Sequence, residues 1–178
     1  KYGNALKVVR VAQSTAENAT ADGNGLLIKN DSVYENSYST GQGTVGHWAA
    51  KYAGTLGNSL KVSLLTEGTG FAGWTYASSF DAAPGTSDYA ISLGKAANYG
   101  DELHVAVIDE DGLISGTAGT VLESFAFMSQ GSDAKKSDEE EGYGEQQYEV
   151  DREIDYAKNW KSNFWVWGFK PDMVLSLI

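Results

Sequence analysis

The sequence contains no cysteine, which excludes disulfides, thiolate chemistry and the usual zinc-cluster arrangements, and leaves the compartment open. Histidine is nearly absent as well. His47 and His104 are the only two, and neither is accompanied by a nucleophile elbow, a phosphate loop or a second histidine at metal-binding spacing. Positive charge is scarce: 13 Lys and Arg stand against 24 Asp and Glu, giving a formal net charge of -11. Without a basic cluster the chain has no surface for displacing counterions from phosphates, so no nucleic-acid partner is expected. No apolar run approaches the roughly 20 residues that span a bilayer, and the first residues lack a charged-then-apolar leader pattern. No direct membrane insertion is expected.

What is present is a foldable composition. At 178 residues and 42% apolar content, the chain has enough to bury for one large domain or two small ones. It begins at Lys1 within strand-like sequence, and is expected to be a piece of a longer polypeptide. One local signal occurs three times: Gly3-Asn4-Ala5-Leu6-Lys7-Val8, Gly57-Asn58-Ser59-Leu60-Lys61-Val62 and Gly100-Asp101-Glu102-Leu103-His104-Val105. Gly with Asn or Asp makes a turn, and Leu and Val, two apart, point to one face of the strand that follows. Lys or His points to the other. The intervals of 54 and 43 residues are unequal, which argues against a solenoid and for three similarly opened strands of one sheet.

The stretch from Tyr99 to Gly116 organises the reading. Leu103-His104-Val105-Ala106-Val107-Ile108 has the composition of an inner strand, and Asp109-Glu110-Asp111-Gly112 supplies a reversal before Leu113-Ile114-Ser115, so a tight hairpin is predicted. Upstream, residues 5–12 predict a first strand, 14–25 a polar surface loop, Leu26–Lys29 a short strand, and Asn30-Asp31-Ser32 its turn. His47–Ala53, Ala-rich and followed by Gly54, predicts a short helix with a glycine stop, leading to a strand over Leu60–Leu65. Residues 66–98 predict short strands joined by loops, with Pro84-Gly85 as a turn.

Downstream of the hairpin, Val121, Leu122, Phe125 and Met128 recur at helical intervals, and Thr120 with Glu123 forms a capping-box pattern; a helix is predicted there. Ser129 to Gly144, with the run Asp138-Glu139-Glu140-Glu141, reads as an exposed loop. Helical spacing returns at Val150, Ile154, Ala157 and Trp160 or Lys161, and Asn163–Gly168 reads as a strand with Trp165 and Trp167 on one face. Met173–Ile178 reads as a last strand.

Candidate chemistry is thin. Asp109, Glu110 and Asp111, or Asp101 with Glu102, could form acid–base pairs or hold a hard cation, but the alternating oxygen ligands of a calcium loop are missing and a plain turn is the simpler reading. His104 occupies a position where its sister copies carry lysine, which predicts a partly exposed structural residue; His47 reads as a helix-start residue. Tyr38, Trp74 and Tyr76 lie in polar, glycine-rich segments and are the candidates for exposed aromatics that could stack on a glycan or anchor a protein. No catalytic, cofactor or metal residue is assigned.

Three ordered blocks carry a resemblance. They are Trp48-Ala49-Ala50-Lys51-Tyr52-Ala53-Gly54-Thr55-Leu56-Gly57-Asn58-Ser59-Leu60-Lys61-Val62, then Asp101-Glu102-Leu103-His104-Val105-Ala106-Val107-Ile108-Asp109-Glu110-Asp111-Gly112, then Gly116-Thr117-Ala118-Gly119-Thr120-Val121-Leu122-Glu123. Together they resemble the tail sheath proteins of contractile-tailed bacteriophages, in particular T4-like myoviruses including cyanophage types. The resemblance covers residues 1–136; Ser162–Gly168 is similar to a further family segment. It implies an α+β tail sheath domain, a mixed β-sheet or two-layer sandwich-like fold with flanking helices over 1–136; the residue pattern beyond it adds an acidic mobile loop at 137–149 and a C-terminal helix and strands at 150–178, expected to pack on the same domain. It also implies a structural, non-enzymatic subunit without cofactors. Its partners would be other copies of itself in six-fold rings of a helical sheath, the inner tail tube and the baseplate, and its location the virion, after assembly in the host cytoplasm. The alternative carried by the aromatics is a β-rich surface or glycan-binding module.

Overall fold

The computed structural model describes residues 11, 13–21, 23–38, 48–129 and the backbone of 166–168. Among the described residues seven regular elements follow in order: α1 (Asp31–Ser37), β1 (Trp48–Ala50), β2 (Leu60–Leu65), α2 (Asp88–Ser92), β3 (Glu102–Asp109), β4 (Thr120–Ser129) and β5 (Val166–Gly168), with short 3₁₀ turns between several of them. The fold is mixed α and β, with few helices and a three-stranded antiparallel sheet ordered β2-β3-β4. A second, two-stranded antiparallel sheet pairs β1 with β5.

β3 is the spine. Every residue from Leu103 to Asp109 is buried, because the strand has a partner on each edge and cover on each face. Val62 opposite Val107 and Leu64 opposite Val105 place the apolar alternation of both strands on one face, where Leu103, Met128, Phe125 and Trp48 complete a core. A smaller core joins Ile28, Tyr34 of α1 and Ala49 of β1. The two described copies of the strand-opening signal thus enter neighbouring antiparallel strands of one sheet, while the first copy, at Gly3, lies outside the described residues.

Several expected elements take another form, each for a physical reason. The predicted helix at 120–128 is strand β4. Val121 faces Ile108 while Glu123 faces Val107, and Phe125 faces Val105 while Met128 faces Leu103, so two bulges add residues to the strand. The insertion between Phe125 and Met128 stretches a same-face gap of two into three, and the one between Val121 and Glu123 puts Val121 on the opposite face from Phe125, so their helical spacing is coincidental. Thr120 is no helix cap either, since its hydroxyl donates to the Thr117 carbonyl at 2.7 Å. At the second bulge Phe127 takes φ +53°, a conformation uncommon for a bulky residue.

The predicted helix at 47–53 is instead β1 over Trp48–Ala50; His47 lies outside the described residues. Its alanines are small for the sake of contact rather than helix propensity. A Cβ on the buried Gly57 would come within 2.8 Å of the Ala50 Cβ and 3.0 Å of the Ala19 Cβ, so three small residues let separate segments touch. Leu26–Lys29 forms a single bridge from Leu26 to Asn18 rather than a strand. Asn30-Asp31-Ser32 opens α1 rather than a turn, with the Asn30 side chain capping the Val33 N–H at 2.9 Å. Residues 66–98 contain 3₁₀ turns and α2 in place of strands, and Pro84-Gly85 lies in a stretch, 83–87, with no turn.

The hairpin after β3 is longer than predicted. Leu113–Ser115 folds back as a turn, and the return strand starts at Thr120. Strand β5 falls within the predicted strand 163–168. Of the strand at 5–12 only Val11 is described, exposed and outside any strand, while the acidic loop, the helix from Val150 and the strand at 173–178 lie outside the described residues, as do the side chains of Trp165 and Trp167.

Candidate functional site

The densest polar cluster forms where β2 begins and β3 ends, since the register sets Leu60 opposite Asp109. Asp109 is fully buried and its carboxylate is fully used. One oxygen accepts the Ser59 hydroxyl at 2.5 Å; the other accepts the Ile114 N–H at 2.9 Å, the Ser115 N–H at 2.6 Å and the Ser115 hydroxyl at 2.7 Å. Burial acts to raise the carboxyl pKa, and the bonds from the Ser115 N–H, the Ser59 hydroxyl, the Ser115 hydroxyl and the Ile114 N–H outweigh it, holding the group well below the usual carboxylate range. Asp109 is an anion anchored by its own loop.

Ser59 works from the other side. While its hydroxyl donates to Asp109, its oxygen accepts the Asp111 N–H at 3.1 Å, and its carbonyl accepts the Glu110 N–H at 2.6 Å. The loop 110–119 is thereby tied to the start of β2, and Gly119 N–H closes it on the Asp109 carbonyl at 2.8 Å. Gly112 must be glycine in this loop: its φ is +75°, and an added Cβ would lie 2.6 Å from the Ala118 nitrogen.

The remaining acidic candidates go to separate tasks. Glu110 pairs with Lys61 at 2.6 Å on the surface, and that hydrogen bond and charge hold the Lys61 ammonium above its ordinary pKa range. Asp111 is exposed. Asp101 accepts the Ser87 N–H at 2.8 Å and the Ser87 hydroxyl at 2.6 Å, while a Glu102 oxygen accepts the Gly85 N–H at 2.9 Å; both carboxylates staple the 85–87 segment to the start of β3. Ser87 in turn caps α2 through the Ala90 N–H at 3.1 Å. Among the described residues no three metal-competent side chains converge.

His104 corrects its expectation of partial exposure: it is completely buried. It does face away from Leu103 and Val105, as the strand alternation requires, but that second face is roofed by aromatics. Phe80 stacks on its ring at a centroid distance of 4.5 Å, Phe127 meets it edge-on at 4.9 Å, and Phe71 and Trp74 lie beyond. Its Nδ1 accepts the Phe127 N–H at 3.1 Å, which leaves Nε2 to donate to the Ala82 carbonyl at 2.8 Å. The histidine therefore satisfies the backbone amide displaced by the bulge and pins the aromatic cover. Trp74 is drawn into the same packing, with its indole N–H donating to the Ser63 hydroxyl at 3.0 Å and its ring against Phe80 and Tyr76. Tyr38, Trp74 and Tyr76 are all half-buried, so they form no open stacking platform.

Sequence reasoning missed Asn18, Ser59 and Ser115. Asn18 is fully buried within the expected surface loop, donating to the Ala50 carbonyl and accepting the Ile28 N–H, each at 2.8 Å. A signal existed for Ser59, the one residue of its strand-opening copy that the pattern left unassigned. A signal existed for Ser115 too, since Asp109 lies six residues before it across a glycine turn.

Comparison with known proteins gives a likeness to a phage protein. Over 121 residues, 67% of the chain, the sequence is 28% identical to the tail sheath protein of Salmonella phage ViI, and the match spans 16% of that protein's length. No protein-family model matches the chain. No solved structure matches it either.

Proposed function

We propose that the chain is part of a structural subunit of a contractile phage tail sheath, of the T4-like or cyanophage type. In this reading it polymerises in six-fold rings around an inner tail tube above a baseplate, and shortens to drive the tube through the host envelope. The observation that carries this is the 121-residue likeness to a phage tail sheath protein. The domain scheme belongs to the same proposal: a sandwich-like α+β unit over 1–136, an acidic mobile loop at 137–149, and a C-terminal helix and strands at 150–178. So do virion location, assembly in the host cytoplasm and the absence of catalysis.

The geometry supports the role in two ways. A subunit that moves as a block needs a stiff interior, and β3 is covered on both faces and paired on both edges, with its end locked by Asp109. Chemistry needs converging, underused ionisable groups, whereas Asp101 and Asp109 spend both carboxylate oxygens, and Glu102 one, on backbone or serine donors. Expression of the complete reading frame followed by electron microscopy tests the proposal: rings or helical tubes are expected, and dispersed monomers at every salt and protein concentration would refute it.

A further inference from the structure

The two ends of β3 carry opposite kinds of surface. At its start, residues 91–100, from the end of α2 to the strand, are all exposed, and they hold out three large apolar side chains: Ile91 at 48% exposure, Leu93 at 59% and Tyr99 at 54%. This protrusion is nevertheless braced. The Thr86 hydroxyl donates to the Ala97 carbonyl and accepts the Gly100 N–H, each at 2.9 Å, and the Lys95 N–H donates to the Ala90 carbonyl at 3.0 Å. The Lys95 ammonium lies over the Tyr99 ring, 4.9 Å from its centre. Apolar groups fixed in solvent on a preformed loop lose little freedom on binding, which is the make-up of a docking element. At the far end of β3, where the Asp109 clamp ties down the following loop, Ala50, Leu56 and Ile114 line an apolar socket of about 160 Å³, with the exposed Leu113 beside it. A cavity of about 150 Å³ admits a benzene ring, so a leucine side chain fits a socket of this size.

Protrusion and socket cannot meet within one chain, because β3 is eight residues long and, at ~3.4 Å per residue, holds them roughly 25 Å apart. Charge favours their meeting across two. The Lys95 ammonium has no carboxylate partner among the described residues, and the exposed Asp111 carboxylate has no cation partner among them. Asp111 stands at the socket's rim, since its N–H and that of Leu113 both turn to the Ser59 hydroxyl, at 3.1 and 3.5 Å. We propose that Leu93 of one copy of this chain enters the socket lined by Leu56 and Ile114 of a second copy, with Lys95 of the first meeting Asp111 of the second. Each copy then uses different surfaces toward its two neighbours, and such head-to-tail contacts propagate into closed rings or open helices. This inference rests on the self-assembling role proposed above.

The test uses two singly substituted forms of the complete protein, Leu93→Cys and Leu56→Cys, mixed before assembly and oxidised after it. A disulfide joining position 93 to position 56 then links two copies by construction, and mass spectrometry of the digested particles reads it. That link is the expected result. Particles without it overturn the inference and leave the assembly reading standing, whereas failure of the parent protein to form particles overturns the two together. A second measurement is independent of disulfide geometry. Lys95→Asp sets two carboxylates against each other and should raise the protein concentration needed for assembly about tenfold. Adding Asp111→Lys to that variant should restore assembly; no effect of the first substitution, or no restoration by the second, would contradict the pairing. Both side chains are exposed, so melting temperatures equal to the parent's are expected, which assigns the change to the contact and not to the fold.

Discussion

Lys61 and His104 occupy the same position of the same strand-opening signal, yet one is exposed and the other has no accessible surface. Both follow a leucine, both precede a valine, and both point to the same side of the three-stranded sheet. What separates them is the strand's place in the sheet and the material laid over it. Among the described residues β2 is an edge strand, and Lys61 extends from it to Glu110 in solvent, whereas β3 is central and His104 lies beneath Phe71, Trp74, Phe80 and Phe127. Local pattern fixes direction. Only tertiary context fixes burial.

Exchanging residues between the two positions should expose this difference most sharply. His104→Lys would bury an ammonium among aromatic rings and strand the Phe127 N–H, so a loss of about 3–5 kcal/mol is expected in urea unfolding. The reverse exchange, Lys61→His, should leave the unfolding midpoint unchanged, because an exposed ion pair contributes little. Equal losses at the two sites would mean that the aromatic roof does not seal His104.

The next largest effect should come from the clamp that joins the two strands. Asp109→Asn would turn an amide N–H₂ toward groups that are already donors, and thermal unfolding should occur at a clearly lower temperature, though by less than for His104→Lys. Because the folded-state pKa of Asp109 is depressed, its contribution is complete above the unfolded carboxyl pKa, about 4, and fades as pH falls toward the lower folded value. Melting temperatures of the parent should therefore decline below about pH 4 more steeply than those of Asp109→Asn. Parallel curves would remove Asp109 as the source.

A smaller loss, of about 1–3 kcal/mol, is expected for Gly112→Ala, which must strain a positive φ and displace the Ala118 nitrogen. Glu110→Gln, which removes only the charge facing Lys61 at the surface, should be the weakest of the series, with no measurable shift in melting temperature.

The same comparison explains what could be read from the sequence. β2 and β3 were legible because regular alternation and β-branched composition coincide there, and both observed strands cover the predicted residues. β4 was not, because two bulges broke its alternation and left a coincidental helical spacing, and bulges arise from pairing with a neighbour rather than from local preference. The β1 alanines suggest a helix although Ala50 is small for close contact with Gly57 and Ala49 for packing against Ile28 and Tyr34. In the polar cluster, the turn residues Asp109 and Gly112 were visible while their serine partners were not. Ser59 lies 50 positions from Asp109, and only the β2–β3 register brings them together.

The account depends most on β3 being a preformed, rigid spine that assembly does not alter. Hydrogen exchange of the Val105–Ile108 amides, measured in the free chain and again within assembled particles, tests this directly. Equally slow exchange in both states, with changes confined to residues outside the three-stranded sheet, is the predicted result. Protection at these amides that appears only on assembly would show that neighbouring subunits build the spine, and would contradict it.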